Sequence, residues 1–200
     1  MALLALACSS CSPTTSDDGD ALAAPEKRAL AVFAGGCYWT MEHKFETTPG
    51  VTDVTAGMAS VAGASAGGAR EGRSAIRMEA VEVRYDPRRV SYRQLVDRYW
   101  LMVDPTDAGG QACDRGGQYR AAVLPSAAQV AEARASRARA AGHFSPGQFV
   151  VPILEQMQFL PVVEAQQDFA RKNPRRYGRY DRGCGRDAKL RRVWKGRTGI

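Results

Sequence analysis

Apolar residues recur along this chain in two rhythms, and the changes of rhythm mark its elements. Residues 29–34, ALAVFA, are a short apolar run that stops at Gly35-Gly36 and reads as a buried strand. The next segment, CYWTMEHKFETT from Cys37, sets Met41 and Phe45 four apart, at helical spacing, before Pro49-Gly50 ends it. Residues 51–61, enriched in Val and Thr, predict a second strand, and the Gly-, Ala- and Ser-rich residues 62–72 predict a loop. In MEAVEVRY, residues 78–85, side chains alternate: Val81, Val83 and Tyr85 share one face, and Ala80, Glu82 and Arg84 the other. Glu79 falls on the Val81 side, so it points inward if that face is the core one. Ser91 predicts an N-cap for a helix over 92–103, with Leu95, Val96, Tyr99, Trp100 and Val103 on one face. Residues 104–118 read as a long polar loop, 119–124 as a strand, 126–141 as a helix, 149–154 as a strand and 162–171 as a short helix. Alternating strands and helices predict an α/β or α+β domain with a central sheet; of these we expect α+β, a two-layer sandwich on a mixed sheet.

The two ends depart from this pattern. Residues 1–7 are a short apolar run and Cys8 follows Ala7, the order seen where a bacterial lipoprotein signal ends in a lipidated cysteine. Residues 9–28 are Ser-, Thr-, Asp- and Pro-containing without periodicity, the composition of a tether. The expected organisation is a signal remnant over 1–8, a tether over 9–28, a catalytic domain over 29–175 and a basic tail over 176–200. A protein so anchored at Cys8 faces the bacterial envelope, an oxidising compartment; without a signal it is cytoplasmic. The 200-residue chain carries a net charge of +7. Twelve Lys/Arg and two Asp between Arg171 and Arg197 make that stretch +10, which leaves −3 for the remainder. The charge therefore describes an ordinary domain with a basic end, not a basic protein throughout. Two histidines and five cysteines without paired ligand spacing argue against a zinc site.

Cys37 stands out on chemistry alone. Two glycines precede it, so backbone can approach closely, and it opens a helix whose free N–H groups favour a thiolate. Together with AVFAGGCYWTMEHKF, EAVEVRYDP from Glu79, DPTDAGGQACDRGGQYRAAV from Asp104, KNPRRY and GCGRD, this resembles the peptide methionine sulfoxide reductase family, A type, from about residue 31 to 194. The resemblance implies a ferredoxin-like core and thiol-dependent reduction of methionine S-sulfoxide, free or in proteins. It implies no bound cofactor and a thioredoxin-like dithiol as reductant. It makes Cys37 the nucleophile, Glu79 the acid and Cys184 the recycling thiol that forms a disulfide with Cys37. Tyr38, where the family usually has phenylalanine, and Trp39 line a pocket for the S-methyl group, and Asp114 and Tyr119 orient the sulfoxide. The residue types suit that chemistry: sulfoxide sulfur is a poor electrophile until its oxygen is protonated, and a sulfenic acid is the oxidation state a second thiol can rescue. Cys113 is expected to be a packed thiol without a role, and the protein a monomer.

Three departures from the family pattern bear on rate. The loop before the acid, SVAGASAGGAREGRSAI, has no tyrosine. The family's Gly-His-Ala-Glu is Ile76-Arg77-Met78-Glu79, and its late Glu-Asp-Tyr-His-Gln is Val163-Glu164-Ala165-Gln166-Gln167. Loss of one donor to a developing oxyanion costs ~10²–10³ in turnover. Two rival readings are weaker. A dithiol oxidoreductase would carry CxxC at the nucleophile, but Thr40 occupies that spacing after Cys37. A nucleic-acid module could use the basic end, yet Tyr177, Tyr180 and Trp194 within it are what a packed segment has, and export removes nucleic acid from reach.

Overall fold

A computed structural model describes residues 29–61 and 76–196. The expected signal remnant with Cys8, the tether and the 62–72 loop lie outside the described residues. β1 (Ala29–Gly35) leads into α1 (Tyr38–Glu46), then β2 (Val51–Val61) and β3 (Ile76–Tyr85). α2 (Tyr92–Trp100) is followed by a small hairpin of β4 (Gly110–Gln111) and β5 (Asp114–Arg115), and then by β6 (Ala121–Val123). α3 (Val130–Ala141), β7 (Gln156–Pro161), α4 (Phe169–Lys172), α5 (Pro174–Cys184) and α6 (Arg186–Val193) complete the chain.

The main sheet has the order β6-β1-β3-β2-β7. Among the described residues its ladders are all antiparallel, and parallel pairing is confined to the single Val123–Ile153 bridge. The succession β1-α1-β2-β3-α2-β6 in the order β6-β1-β3-β2 is the expected ferredoxin-like α+β core. The inward face of β3 is the one its alternation predicts: Val81, Val83 and Tyr85 pack with Phe33, Phe45, Leu95, Tyr99 and Trp100. Burial of such side chains contributes about 1.5–3 kcal/mol each. The opposite face is covered as well, by a smaller cluster that includes Val32, Ala34, Ala59, Val61, Met78 and Ala80. Ser91 caps α2 through a reciprocal pair with Gln94, as its sequence position suggests.

Two stretches differ from expectation. The predicted strand over 149–154 supplies one bridge, and the edge strand is β7, which begins two residues after that stretch ends. The basic end is not a loose tail. Its two helices bury Tyr177, Arg186, Leu190 and Trp194 against the domain, and the Trp194 indole donates to the Val103 carbonyl at 3.0 Å. Lys189 further ties α6 to Asp104 and Asp107, at 3.0 and 2.9 Å. The apolar residues of this stretch set its position, and most of its arginines stay outward.

Candidate active site

The turn before Cys37 is built by its glycines. Gly36 has φ +85°, and a Cβ there would lie 2.7 Å from the Arg186 guanidinium and 2.7 Å from Gln111 Cβ. A Cβ at Gly35 would lie 2.7 Å from Met41 Sδ. Strand β1 can therefore run into α1 against neighbouring side chains only with Gly-Gly. Cys37 is the N-cap of α1, with its carbonyl accepting from Thr40 and Met41 N–H at 3.1 and 3.3 Å. Its thiol is free and 7% exposed.

Glu79 meets the start of the same helix. Its Oε2 accepts from the Tyr38 N–H at 3.0 Å, and its side chain is 9% exposed on β3, inward as the alternation predicts. Burial raises the carboxyl to about 7, even though the Tyr38 N–H and the Tyr119 hydroxyl both bond to it. Tyr119 thus reaches the acid directly. The thiol differs from the expectation of a helix-stabilised thiolate. Burial, and then the negative charge of Glu79, raise Cys37 to about 11, against hydrogen bonds from Tyr180 and the Trp39 backbone that pull it down. Desolvation at this enclosed turn outweighs the helix N-terminus.

Beside the thiol lies an aromatic wall. Trp39 stacks on Phe169 with centroids 3.7 Å apart, meets Tyr38 edge-on at 6.3 Å and Tyr180 edge-on at 5.9 Å. Its Nε1 donates to Gln166 Oε1 at 3.0 Å. Phe169 is held by Glu42, a buried carboxylate on α1 that accepts from the Asp168 and Phe169 N–H groups at 2.9 and 3.2 Å. Gln167 pairs with both backbone groups of Ala56 at 2.8 Å, which fixes the same segment to β2. The stretch that lacks the family's histidine therefore steadies the tryptophan through Gln166.

Asp114 comes from β5, on a hairpin shaped by buried Gln111, which bonds the Asp104 N–H and carbonyl at 2.7 and 3.0 Å. Asp114 Oδ2 accepts from the Tyr180 hydroxyl at 2.6 Å. At the turn of that hairpin Ala112 has φ +52°, and Cys113 follows it, exposed. Cys113 is not a packed thiol: it is disulfide-bonded to Cys184, with Cα atoms 5.0 Å apart. Its position at the turn, away from any apolar cluster, brings it to the end of α5. Among the described residues, Cys113, Asp114 and Cys184 are the grouping with metal-ligand chemistry, and the disulfide occupies both sulfurs.

The expected residues Cys37, Tyr38, Trp39, Glu79, Asp114 and Tyr119 thus converge on one place, with Cys184 reaching its rim through Cys113. Sequence reasoning missed Tyr180 and Arg186. The helical period of α5 was the available signal for Tyr180, since Tyr177, Tyr180 and Cys184 recur at three and four residues among exposed arginines. Arg186 carried no such signal. The arrangement supplies a nucleophilic sulfur, a carboxyl that holds a proton near neutral pH, hydroxyl donors and an aromatic face for a small apolar group.

Comparison with known proteins agrees with this chemistry. The family model for peptide methionine sulfoxide reductase matches residues 29–198. The peptide methionine sulfoxide reductase MsrA 2 of Caulobacter vibrioides is 44% identical over 184 residues, 88% of this chain and 90% of the relative. The MsrA of Bacillus velezensis is 36% identical over 183 residues, 86% of this chain and 99% of the relative. Among solved structures, reduced Mxr1 from Saccharomyces cerevisiae superposes with a TM-score of 0.65 at 25% identity, over 76% of this chain and 89% of that one. Methionine sulfoxide reductase A of Corynebacterium diphtheriae gives 0.60 at 26% identity, over 76% and 77%.

Proposed function

Because the chain belongs to the peptide methionine sulfoxide reductase family, we propose a course by which its own residues reduce methionine S-sulfoxide, free or in proteins, to methionine. The observation that carries it is the meeting of Cys37 and Glu79 at the first turn of α1, a nucleophile and a carboxyl held beside each other through the Tyr38 N–H. The sulfoxide lies with its S-methyl group against Tyr38 and Trp39 and its oxygen toward Glu79, Tyr119 and the Asp114–Tyr180 pair. Cys37 thiolate attacks the sulfoxide sulfur while Glu79 gives its proton to the oxygen. The oxygen passes to Cys37 as the thioether leaves: methionine sulfoxide is reduced by two electrons, and Cys37 becomes a sulfenic acid.

Cys184 then attacks the sulfenic sulfur, water leaves, and a Cys37–Cys184 disulfide forms. Cys113 displaces Cys37 from Cys184, which frees Cys37 and leaves Cys113–Cys184. What supports this order is that Cys37 is the free thiol while the other two sulfurs are joined, with Cys113 exposed. A thioredoxin-like dithiol attacks the exposed end and regenerates both thiols. No bound cofactor takes part. The apolar run before Cys8 favours an envelope enzyme tethered by lipid at that residue, acting as a monomer.

The test is chiral. Methionine R- and S-sulfoxides, each carrying a dabsyl group, are supplied separately with dithiothreitol. Consumption of the S form alone is expected. Equal consumption of both, or of neither, overturns the reading.

A further inference from the structure

Arg186 is the anomaly in this molecule. It opens α6, is 2% exposed, and no carboxylate pairs with it among the described residues. Its Nη2 donates to the Gly35 carbonyl, to the Met102 carbonyl at 2.9 Å and toward Met41 Sδ at 3.5 Å. Its Nε and Nη1 have no hydrogen-bond partner, and Nη1 lies against Gly36, the residue before the nucleophile. A buried cation is unfavourable unless opposite charge or oriented dipoles offset it; here carbonyl oxygens and a thioether touch it, and the Asp114 carboxylate acts on it from beyond ion-pair distance. Such a group stays where an anion forms close by.

The groups that act electrostatically on Cys37 make the need plain. Glu79 on β3 and Asp114 on β5 are carboxylates, and both oppose a thiolate. Tyr38 on α1, Tyr119 beside β6, and Tyr177 and Tyr180 on α5 are phenols. Arg186 is the cation among them. We propose that Arg186 is a positioning residue for the nucleophile: its buried guanidinium, anchored on the Gly35 and Met102 carbonyls beneath the Gly35-Gly36-Cys37 turn, supplies the positive charge that offsets the negative charge of the Cys37 thiolate during attack. The proposal rests on the reading of Cys37 as nucleophile. It assigns to the basic C-terminal end a second task beside carrying Cys184, since Arg186 lies two residues beyond that cysteine.

The experiment uses the full chain with Cys8, Cys11, Cys113 and Cys184 replaced by serine, so that Cys37 is the single thiol. Iodoacetamide alkylation is followed against pH for this parent and for its Arg186→Met and Arg186→Lys variants. Loss of an opposite charge within ~4–6 Å of a group moves its titration by ~1–3 units. Arg186→Met is therefore expected to raise the alkylation midpoint by at least about one unit, which slows alkylation at pH 8 about tenfold. Arg186→Lys, whose ammonium is charged at pH 8, is expected to be alkylated there at the parent rate. A buried residue that merely supported the fold would change stability without moving the midpoint. An unmoved midpoint in Arg186→Met with a parental near-ultraviolet circular dichroism spectrum overturns the proposal. If Arg186→Met does not fold, the lysine variant decides at pH 8: a parental rate supports the charge, and a rate about tenfold lower in a folded protein overturns it. Alkylation needs no sulfoxide, so failure here is distinct from failure of the reductase reading, which would show as no turnover by the unaltered enzyme.

Discussion

Glu79 and Cys37 hold one proton between them over a wide span of pH. The reactive arrangement is protonated Glu79 with Cys37 thiolate, although the carboxyl titrates near 7 and the thiol near 11. Below 7 the carboxyl is protonated and the thiolate fraction grows tenfold per unit, so the rate rises. Between 7 and 11 the acid fraction falls as fast as the thiolate fraction grows, and the product is constant. The rate constant at low substrate concentration, which reports the free enzyme, is therefore expected to rise up to about pH 7 and then level. A decline starting at pH 7 would mean that the nucleophile is already ionised below that pH, against a buried thiol held near 11. Glu79→Gln separates the two roles of the carboxyl. Sulfoxide reduction in a single turnover should slow by ~10²–10⁴, the usual contribution of a general acid. Alkylation of Cys37 should instead accelerate at pH 8, because the charge that raises the thiol is gone. Movement of both rates in the same direction would refute the assignment.

At the scale of elements, α1 and α5 divide the work. α1 presents Cys37 and its aromatic neighbours at one end, and α5 carries Tyr180 and Cys184 one turn apart on the side facing the domain. The hairpin β4–β5 meets α5 twice, through Asp114 to Tyr180 and through Cys113 to Cys184. The recycling order has a direct consequence. Cys184→Ser should complete the first turnover and then stop with thioredoxin, while dithiothreitol still sustains cycling by attacking the sulfenic acid. Cys113→Ser should accumulate a Cys37–Cys184 disulfide, identified by peptide mapping after one equivalent of substrate. A Cys37–Cys113 disulfide in Cys184→Ser, with undiminished thioredoxin-driven turnover, would reverse the order.

For the whole molecule, the C-terminal helices are part of the domain. Trp194 closes the fold over Val103 and meets Phe144 edge-on at 5.2 Å. Trp194→Ala is expected to cost ~3–5 kcal/mol in urea unfolding, the range for large-to-small changes in a core. A loss near zero would mean that the end of the chain is detached in solution.

Much of this was legible in the order of residues. The alternation over β3 placed Glu79 on the inward face, Gly-Gly marked the turn before Cys37, and Ser91 marked the start of α2. These are local properties: period, steric permission and capping act between residues close in the chain. What tertiary structure decided involves separations the chain does not reveal. Cys113 and Cys184 are 71 positions apart in the sequence, and only the docking of α5 on the hairpin joins them. Burial, not the helix N-terminus, governs the Cys37 thiol. Arg186, 151 residues from the Gly35 carbonyl to which it donates, reads in the sequence as one more arginine in a basic end. Burial and long-range hydrogen bonding are collective outcomes of packing, and so they appear only once the helices have closed on the sheet.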